Sequence, residues 1–167
     1  QLQAEGLSLT VSMNLSVRDL LGTHLGDMLD EQLQASQADP AMIEFEITES
    51  AVMTDPAHTV EALNRIADAG FRLAIDDFGT GYSSFAYLKK LPVHTLKIDK
   101  SFVIGMAQDD NDTAIVRTSI ELAHSLNLKI VAEGVEEAAT LERLQELGCD
   151  AVQGFYICRA LPAAELM

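Results

Sequence analysis

Between residues 73 and 84 the chain reads Leu73-Ala74-Ile75-Asp76-Asp77-Phe78-Gly79-Thr80-Gly81-Tyr82-Ser83-Ser84. Its apolar start has the length of a buried strand, and that strand is predicted to stop at two adjacent aspartates. Two carboxylates at such a strand end are costly to desolvate unless a cation offsets their charge. Hard cations such as Mg²⁺ and Mn²⁺ favour oxygen ligands, and adjacent carboxylates can serve two ions. The alternative is a capped turn that holds a solvated pair of aspartates.

The residues that follow the aspartates predict a mobile loop. Gly79 and Gly81 allow the backbone to turn sharply or to move, as the loop of an active site must. The loop is expected to comprise Phe78, Gly79, Thr80, Gly81, Tyr82, Ser83 and Ser84. Ser83 and Ser84 can also cap a short helix that stops before Pro92.

Other short apolar runs also end in polar residues suited to metal or phosphate chemistry. These polar residues are Asn14, Glu46 with Glu49, Lys97 with Asp99, Glu133 with Glu136, and Gln153. Together with Asp76-Asp77 these residues mark six strand ends in series. They predict a site at one rim of a parallel sheet, because active sites of α/β proteins lie at the carboxyl ends of the strands. Taken alone, Asn14 fits a strand-end turn and Lys97 a solvated surface group.

Strands and helices are predicted to alternate along the whole chain. The expected strands cover residues 7–13, 42–48, 72–75, 95–98, 128–132 and 151–155. One helix is expected from Ser16 to about Gln34, a second from Asp55-Pro56 to Gly70, and a third from the acidic run at Asp109. This order predicts a parallel sheet with right-handed crossovers and a single domain over residues 1–167.

Composition limits the classes of function. The 167 residues carry 11 basic and 26 acidic side chains, a net charge of −15, which argues against binding long nucleic acid through a basic surface. No apolar run predicts a membrane span or a signal peptide, so no membrane contact is expected. The two cysteines lack metal or redox spacing, which is typical of a reduced, cytoplasmic protein. A small phosphorylated ligand remains possible if metal ions supply positive charge.

Several segments together resemble the EAL-type family of bacterial cyclic di-GMP phosphodiesterases. They occur in family order over nearly the whole chain, and they are 13–16 (MNLS), 46–50 (EITES), 75–84 (IDDFGTGYSS), 96–99 (LKID), 131–136 (VAEGVE) and 152–155 (VQGF). The resemblance implies a TIM-type (β/α)₈ barrel, with six of the eight strands present in this chain and two strands preceding Gln1.

The chain also departs from the family pattern. The Glu-Ala-Leu segment that names the family lies on an early strand and is absent here. Glu61-Ala62-Leu63 has the same letters, but it lies within a predicted helix and is not that segment. In the family that missing Glu is a metal ligand, so the chain by itself is expected to be inactive. Position 160 is Ala where the family usually has Pro. An open sheet would expose two unpaired edges, so a homodimer is expected.

The resemblance implies a role for each matching residue. Asn14, Glu46 and Asp76 would bind one Mg²⁺ or Mn²⁺, with Asp76 bridging to a second ion held by Asp77. Lys97 would position the attacking water, and Glu133 would act as general base or metal partner. Glu49 would anchor the mobile loop, although a helix cap is an alternative. Contacts to the substrate or to its neighbouring residues would come from Asp99, Glu136 and Gln153.

The implied reaction is two-metal hydrolysis of cyclic di-GMP to linear pGpG in bacterial second-messenger signalling. Sensor or GGDEF-type domains and a membrane tether remain open for the parent protein. One alternative is a catalytically inactive receptor or interaction module of the same fold. A second, suggested by Asp77-Phe78-Gly79, is a protein kinase, but the His-Arg-Asp loop and the Gly-rich nucleotide loop are absent from the sequence.

Overall fold

The computed structural model describes residues 9–20, 22, 25–81 and 85–162. Over these ranges, strands and helices alternate along the chain, and the six strands follow one another in one sheet in chain order. The strand pairings with a defined register are all parallel. The predicted α/β alternation and the parallel sheet are therefore confirmed.

The chain divides into two compact units, residues 1–95 and 96–167. The first unit contains β1 (Val11–Asn14), α1 (Val17–Leu20), α2 (Leu25–Ser36), a short 3₁₀ helix (Pro40–Met42), β2 (Ile43–Thr48), α3 (Glu49–Thr54), α4 (Pro56–Asp68), β3 (Arg72–Phe78) and α5 (Phe85–Leu88). Strand β4 (Thr95–Ile98) begins at the boundary. The second unit contains α6 (Lys100–Gly105), α7 (Asp110–Ser125), β5 (Lys129–Glu133), α8 (Ala138–Glu146) and β6 (Ala151–Gln153).

The core of the first unit lies on β2, β3 and α4. Ile47, Leu63 and Leu73 are fully buried, and the rings of Phe45 and Phe71 pack with their centroids 5.1 Å apart. Burial of each such side chain contributes about 1.5–3 kcal/mol to stability. The buried apolar residues of these elements thus hold β2 and β3 in place and position the carboxyl ends of the two strands.

The start of α4 is the one that the sequence predicts. The Asp55 carboxylate accepts a hydrogen bond from the His58 backbone N–H, and Pro56 occupies the first helical position. The helix is followed by Gly70, whose φ of +92° lies in the left-handed region that glycine adopts without strain. Cap, proline and terminal glycine together fix both ends of α4 and hence the entry into β3.

Two predicted elements differ from the structure, and one helix was not predicted. The single helix over residues 16–34 is wrong: α1 ends at Leu20, where the Gly22 N–H donates to the Asp19 carbonyl, and α2 begins at Leu25. Glycine in this position disfavours a continuous helix. Helix α3 is not predicted from the sequence, and β3 continues through the two aspartates to Phe78 rather than ending at Ile75. Leu7, Ser83 and Ser84 lie outside the described residues.

In the second unit, α7 covers one side of β5. The Asp109 carboxylate caps the helix by accepting a hydrogen bond from the Asn111 N–H, as its acidic start predicts. Val116, Ile120 and Ala123 are buried on its inner face, and Ile130 is buried on β5. None of the helices in the described ranges combines the length and apolar composition that crossing a bilayer requires.

Candidate active site

Three predicted ligands lie on one face of the first unit's strands. Asn14 and Glu46 are direct partners across the parallel β1–β2 pair, and Glu46 is paired in turn with Ala74 on β3. Asp76 lies two residues beyond Ala74, and side chains on a strand alternate between faces. Asn14, Glu46 and Asp76 are therefore on the same face of the sheet, near the carboxyl ends of β1, β2 and β3.

Asp77 has an irregular backbone conformation near the end of β3. Its φ of +53° lies in the left-handed region, which costs a non-glycine residue on the order of 1–3 kcal/mol. The backbone turns here, because the Thr80 N–H donates to the Asp77 carbonyl at 3.3 Å and Gly79 has a φ of +101°. This local strain sets Asp77 apart from its strand neighbours, and strained positions of this kind cluster at functional sites.

Glu49 is buried at the start of α3 and contacts the predicted loop. Its Oε2 atom accepts hydrogen bonds from the backbone N–H groups of Gly79, at 2.8 Å, and Gly81, at 3.2 Å. Only 3% of Glu49 is exposed to solvent. The contact that the anchoring interpretation requires is therefore present, and the helix cap is supplied instead by Thr48, whose hydroxyl accepts from the Ala51 N–H.

Gly81 leaves room for the Glu49 carboxylate. A Cβ atom at position 81 would lie 2.9 Å from both Cδ and Oε1 of Glu49, closer than side chains normally approach. Any larger residue at position 81 would therefore force the buried Glu49 carboxylate to move. The rest of the predicted loop, Tyr82 to Ser84, lies outside the described residues.

The donor chemistry of this region fits a hard cation. An amide oxygen and carboxylates from three strands are ligands that Mg²⁺ and Mn²⁺ favour. Within the described ranges, the histidine, cysteine and acidic side chains form no group of three or more that could hold a metal ion. The case for a metal therefore rests on the donor types and on the shared face of Asn14, Glu46 and Asp76.

The second unit brings Lys97 and Glu133 together. The Lys97 Nζ atom lies 2.6 Å from Oε1 of Glu133, and the two side chains are only 6% and 18% exposed. A close ion pair with little access to water is strongly coupled, because each charge depends on the other once both are desolvated. The two residues that the resemblance assigned to the reaction thus form a close ion pair, so a change to one of them affects the other.

Gln153 is placed beside Glu133 by the register of β5 and β6. Glu133 and Gln153 are direct partners in this parallel pair, so their side chains share a face. The Val135 N–H donates to the Gln153 carbonyl, and the Val135 carbonyl accepts from the Tyr156 N–H. This bonding fixes the turn after β6 against the turn after β5.

Two glycines in these turns are structural requirements that the sequence analysis did not identify. A Cβ at Gly154 would lie 2.1 Å from the Val135 carbonyl oxygen, and one at Gly134 would lie 2.5 Å from the Lys100 Cβ. Gly134 also has a φ of +76°. The signal in the sequence was the position of each glycine directly after Glu133 and Gln153.

Asp99 and Glu136 are placed differently from the ion pair. The Asp99 carboxylate caps α6 by accepting hydrogen bonds from the Ser101 N–H, at 2.9 Å, and from the Ser101 hydroxyl. Glu136 is exposed on the turn after β5. The capping bonds give Asp99 a structural function, whereas a contact of either residue with substrate stays a prediction.

The described histidines and the cysteines have local structural contacts. His58 bonds to Asp55 and lowers the pKa of that carboxyl group, while His124 bonds to Asp150, which also accepts from the Ile130 N–H. Burial raises the pKa of the Cys149 thiol. His24 lies outside the described residues.

Comparison with known proteins identifies the family. The family model described as "EAL domain" matches residues 1–160. The chain is 42% identical over 157 residues to the bifunctional diguanylate cyclase/cyclic di-GMP phosphodiesterase MucR of Pseudomonas aeruginosa. That alignment covers 94% of this chain and 23% of MucR. The chain spans about a fifth of the length of the curated relatives it matches.

Solved structures agree with this match. The MucR phosphodiesterase in complex with c-di-GMP superposes with a TM-score of 0.95 at 40% identity, over 99% of this chain and 68% of the other. Klebsiella pneumoniae BlrP1, solved as a calcium and cyclic di-GMP complex, gives a TM-score of 0.84 at 30% identity, over 92% and 39% of the two chains. The fold is of the TIM-type α/β barrel, with six of its parallel strands in the described part of this chain. The chain belongs to the EAL domain family.

Proposed function

We propose that the full-length protein hydrolyses cyclic di-GMP to linear pGpG as part of bacterial second-messenger signalling. The observation that carries the proposal is the close superposition on a phosphodiesterase solved with this dinucleotide, at a TM-score of 0.95 and 40% identity. This chain supplies acidic strand ends and the largely buried Lys97–Glu133 pair. These are the groups that phosphodiester hydrolysis requires.

The first unit supplies the candidate metal ligands. We assign Asn14, Glu46 and Asp76 to one Mg²⁺ or Mn²⁺ and Asp77 to a second ion, with Asp76 shared between them. Bound divalent ions would acidify a water molecule and stabilise the negative charge of the phosphate. They would also offset the charge of a chain that already carries −15 when it binds an anionic dinucleotide.

The second unit supplies the groups that handle charge and protons. We assign Glu133 as the base that accepts a proton from the attacking water. Lys97 holds Glu133 in one orientation through the 2.6 Å ion pair, and its ammonium offsets negative charge that develops on the phosphate oxygens. The orientation of Glu133 and the charge of Lys97 both matter most in the transition state, so these two residues should affect turnover more than substrate binding.

The remaining assignments concern substrate and partners. Asp99, Glu136 and Gln153 are proposed to contact the dinucleotide or the residues around it, and Glu49 to fix the loop that begins at Phe78. MucR is described as both a diguanylate cyclase and a cyclic di-GMP phosphodiesterase. This relative supports a GGDEF-type domain attached to the EAL domain in the full-length protein. The exposed strand β1 supports a homodimer, and the composition supports a cytoplasmic location.

Nucleotide chromatography of the full-length protein tests the proposal. We expect conversion of cyclic di-GMP to pGpG with Mg²⁺ or Mn²⁺, little with Ca²⁺ because of its looser coordination, and none after chelation. Asp76→Ala should abolish turnover and weaken Mn²⁺ binding in calorimetry. Asp68→Ala, at an exposed acidic residue that ends α4, serves as the control and should change neither.

Two results would contradict parts of the proposal. Equal Mn²⁺ affinity in the Asp76→Ala variant and the wild type would remove Asp76 from the metal site. A full-length protein that binds the dinucleotide and never cleaves it would favour the receptor function instead.

A further inference from the structure

A second bond closes the turn that follows the aspartates. The Thr80 hydroxyl donates to the Asp77 carbonyl at 2.9 Å, and the Thr80 N–H donates to the same oxygen at 3.3 Å. One carbonyl thus accepts both donors of a single residue. The four-residue turn from Asp77 to Thr80 is fixed by the side chain of its last residue as well as by its backbone.

This second bond acts on the strained residue itself. Asp77 has a φ of +53°, a conformation that a non-glycine residue keeps only when its surroundings stabilise it. Orientation of the Asp77 carbonyl is coupled to this backbone conformation and hence to the direction of the carboxylate. A hydroxyl that holds the carbonyl therefore limits the directions in which the Asp77 side chain can point.

The Glu49 contacts fix a different part of the loop. Glu49 binds the N–H groups of Gly79 and Gly81, and thereby joins the loop to α3. Thr80 lies between these two glycines, and its hydroxyl donates a hydrogen bond to a carbonyl near the end of β3, that of Asp77. The glycine N–H groups thus tie the loop to α3, whereas the Thr80 hydroxyl ties it to the Asp77 carbonyl.

We propose that Thr80 is a positioning residue for Asp77: its hydroxyl holds the left-handed turn in which the Asp77 carboxylate can bind a divalent cation. The inference rests on the proposed function, because it takes Asp77 as a ligand. Its specific content is that a hydroxyl at position 80 is needed, whereas the methyl group of threonine is not.

Titration of the full-length protein with Mn²⁺, followed by water-proton relaxation, tests this inference. Thr80→Val keeps the shape of the side chain and removes the donor, and should weaken Mn²⁺ binding about tenfold, as loss of a bond that orients a ligand does. Thr80→Ser restores the donor and should bind within about twofold of the wild type. A merely structural threonine would lower the melting temperature without changing Mn²⁺ affinity.

The matched control is Thr118→Val. Thr118 is also exposed and also donates its hydroxyl to a backbone carbonyl, that of Ala114 within α7, at 2.8 Å. Its replacement should leave Mn²⁺ affinity unchanged. Equal Mn²⁺ binding by Thr80→Val and the wild type, with binding lost in Asp77→Ala, would overturn the inference alone. Unchanged binding in Asp77→Ala would overturn the inference together with the proposed ligand set.

Discussion

Glu49 and Glu133 are two glutamates with little solvent access that the structure stabilises in different ways. Glu49 accepts hydrogen bonds from two backbone N–H groups and lies in the first turn of α3, where the helix dipole favours a negative charge. Glu133 lies 2.6 Å from the ammonium of Lys97. The first carboxylate is held by peptide dipoles, and the second by a full opposite charge.

This difference separates positioning from chemistry. Backbone N–H groups keep their direction and cannot exchange a proton with the carboxylate, so Glu49 is suited to fixing the position of a loop. An ammonium can shift toward a phosphate when charge develops there, and the carboxylate beside it can accept a proton. Perturbing Glu133 should therefore change rates, whereas perturbing Glu49 should change loop structure first.

The largest effect is expected from Lys97→Met. Loss of the ammonium leaves Glu133 with little solvent and without this partner, which should cost about 3 kcal/mol of unfolding free energy. Turnover should fall about 10²- to 10³-fold with a much smaller change in KM, since the charge acts in the transition state. Urea denaturation and steady-state kinetics of the full-length protein measure the two effects.

Two further variants sharpen this prediction. Lys89→Met replaces an exposed lysine and should change neither quantity. Adding Glu133→Gln to Lys97→Met should recover much of the stability, because the largely buried negative charge is then removed as well, but it should not recover turnover. A double variant as unstable as Lys97→Met would show that the ion pair does not explain the burial of Glu133.

A smaller effect is expected from Gly81→Ala. The new Cβ would lie 2.9 Å from the Glu49 carboxylate, so that this buried group must move away from the two N–H groups it binds. We expect a loss of about 2 kcal/mol in thermal or urea unfolding. Hydrogen exchange at Gly79 should also become faster.

The matched glycine is Gly26 in α2. A Cβ there would meet nothing within 4 Å, so Gly26→Ala should leave stability unchanged or raise it by about 0.5 kcal/mol. If Gly81→Ala were as well tolerated as Gly26→Ala, the Glu49 carboxylate would have to be free to move, and its role as an anchor would be wrong.

The smallest effect is expected at an exposed ion pair of nearly the same length. Arg143 Nη1 lies 2.7 Å from Glu146 Oε2 on α8, but these side chains are 47% and 65% exposed. Glu146→Gln should cost no more than about 0.5 kcal/mol, and that cost should vanish in high salt. A loss comparable with that of Lys97→Met would show that distance, and not exposure, determines the strength of the Lys97–Glu133 pair.

Local signals predicted those parts of the fold that depend on neighbouring residues. The Asp55-Pro56 cap and the bounds of β4 follow from residues within a few positions of each other. Helix α3 was missed because six residues are too few to show a helical period. The continuation of β3 through Asp76 was missed because acidic residues are more typical of turns than of strands.

Several contacts of the candidate site join residues that are far apart in the sequence, and local sequence signals could not predict them. Glu49 lies 30 and 32 positions from its partners Gly79 and Gly81, so nothing local indicates that it is buried or what it binds. The resemblance to a family pointed to the Glu49 contact with the loop, and it singled out Lys97 and Glu133 separately. It did not predict the bond from Thr80 to Asp77 or the ion pair between Lys97 and Glu133.

The close approach of Gly154 to Val135 has a consequence for how the last strand finds its place. A slip of β6 by two residues would keep the alternation of its faces, and would therefore escape correction by apolar burial alone. Such a slip would bring Val152 or Tyr156 to the point where a Cβ would lie 2.1 Å from the Val135 oxygen. Misaligned intermediates of folding are thus penalised by a clash with the backbone of Val135, which leaves the native alignment as the one that can close against this residue.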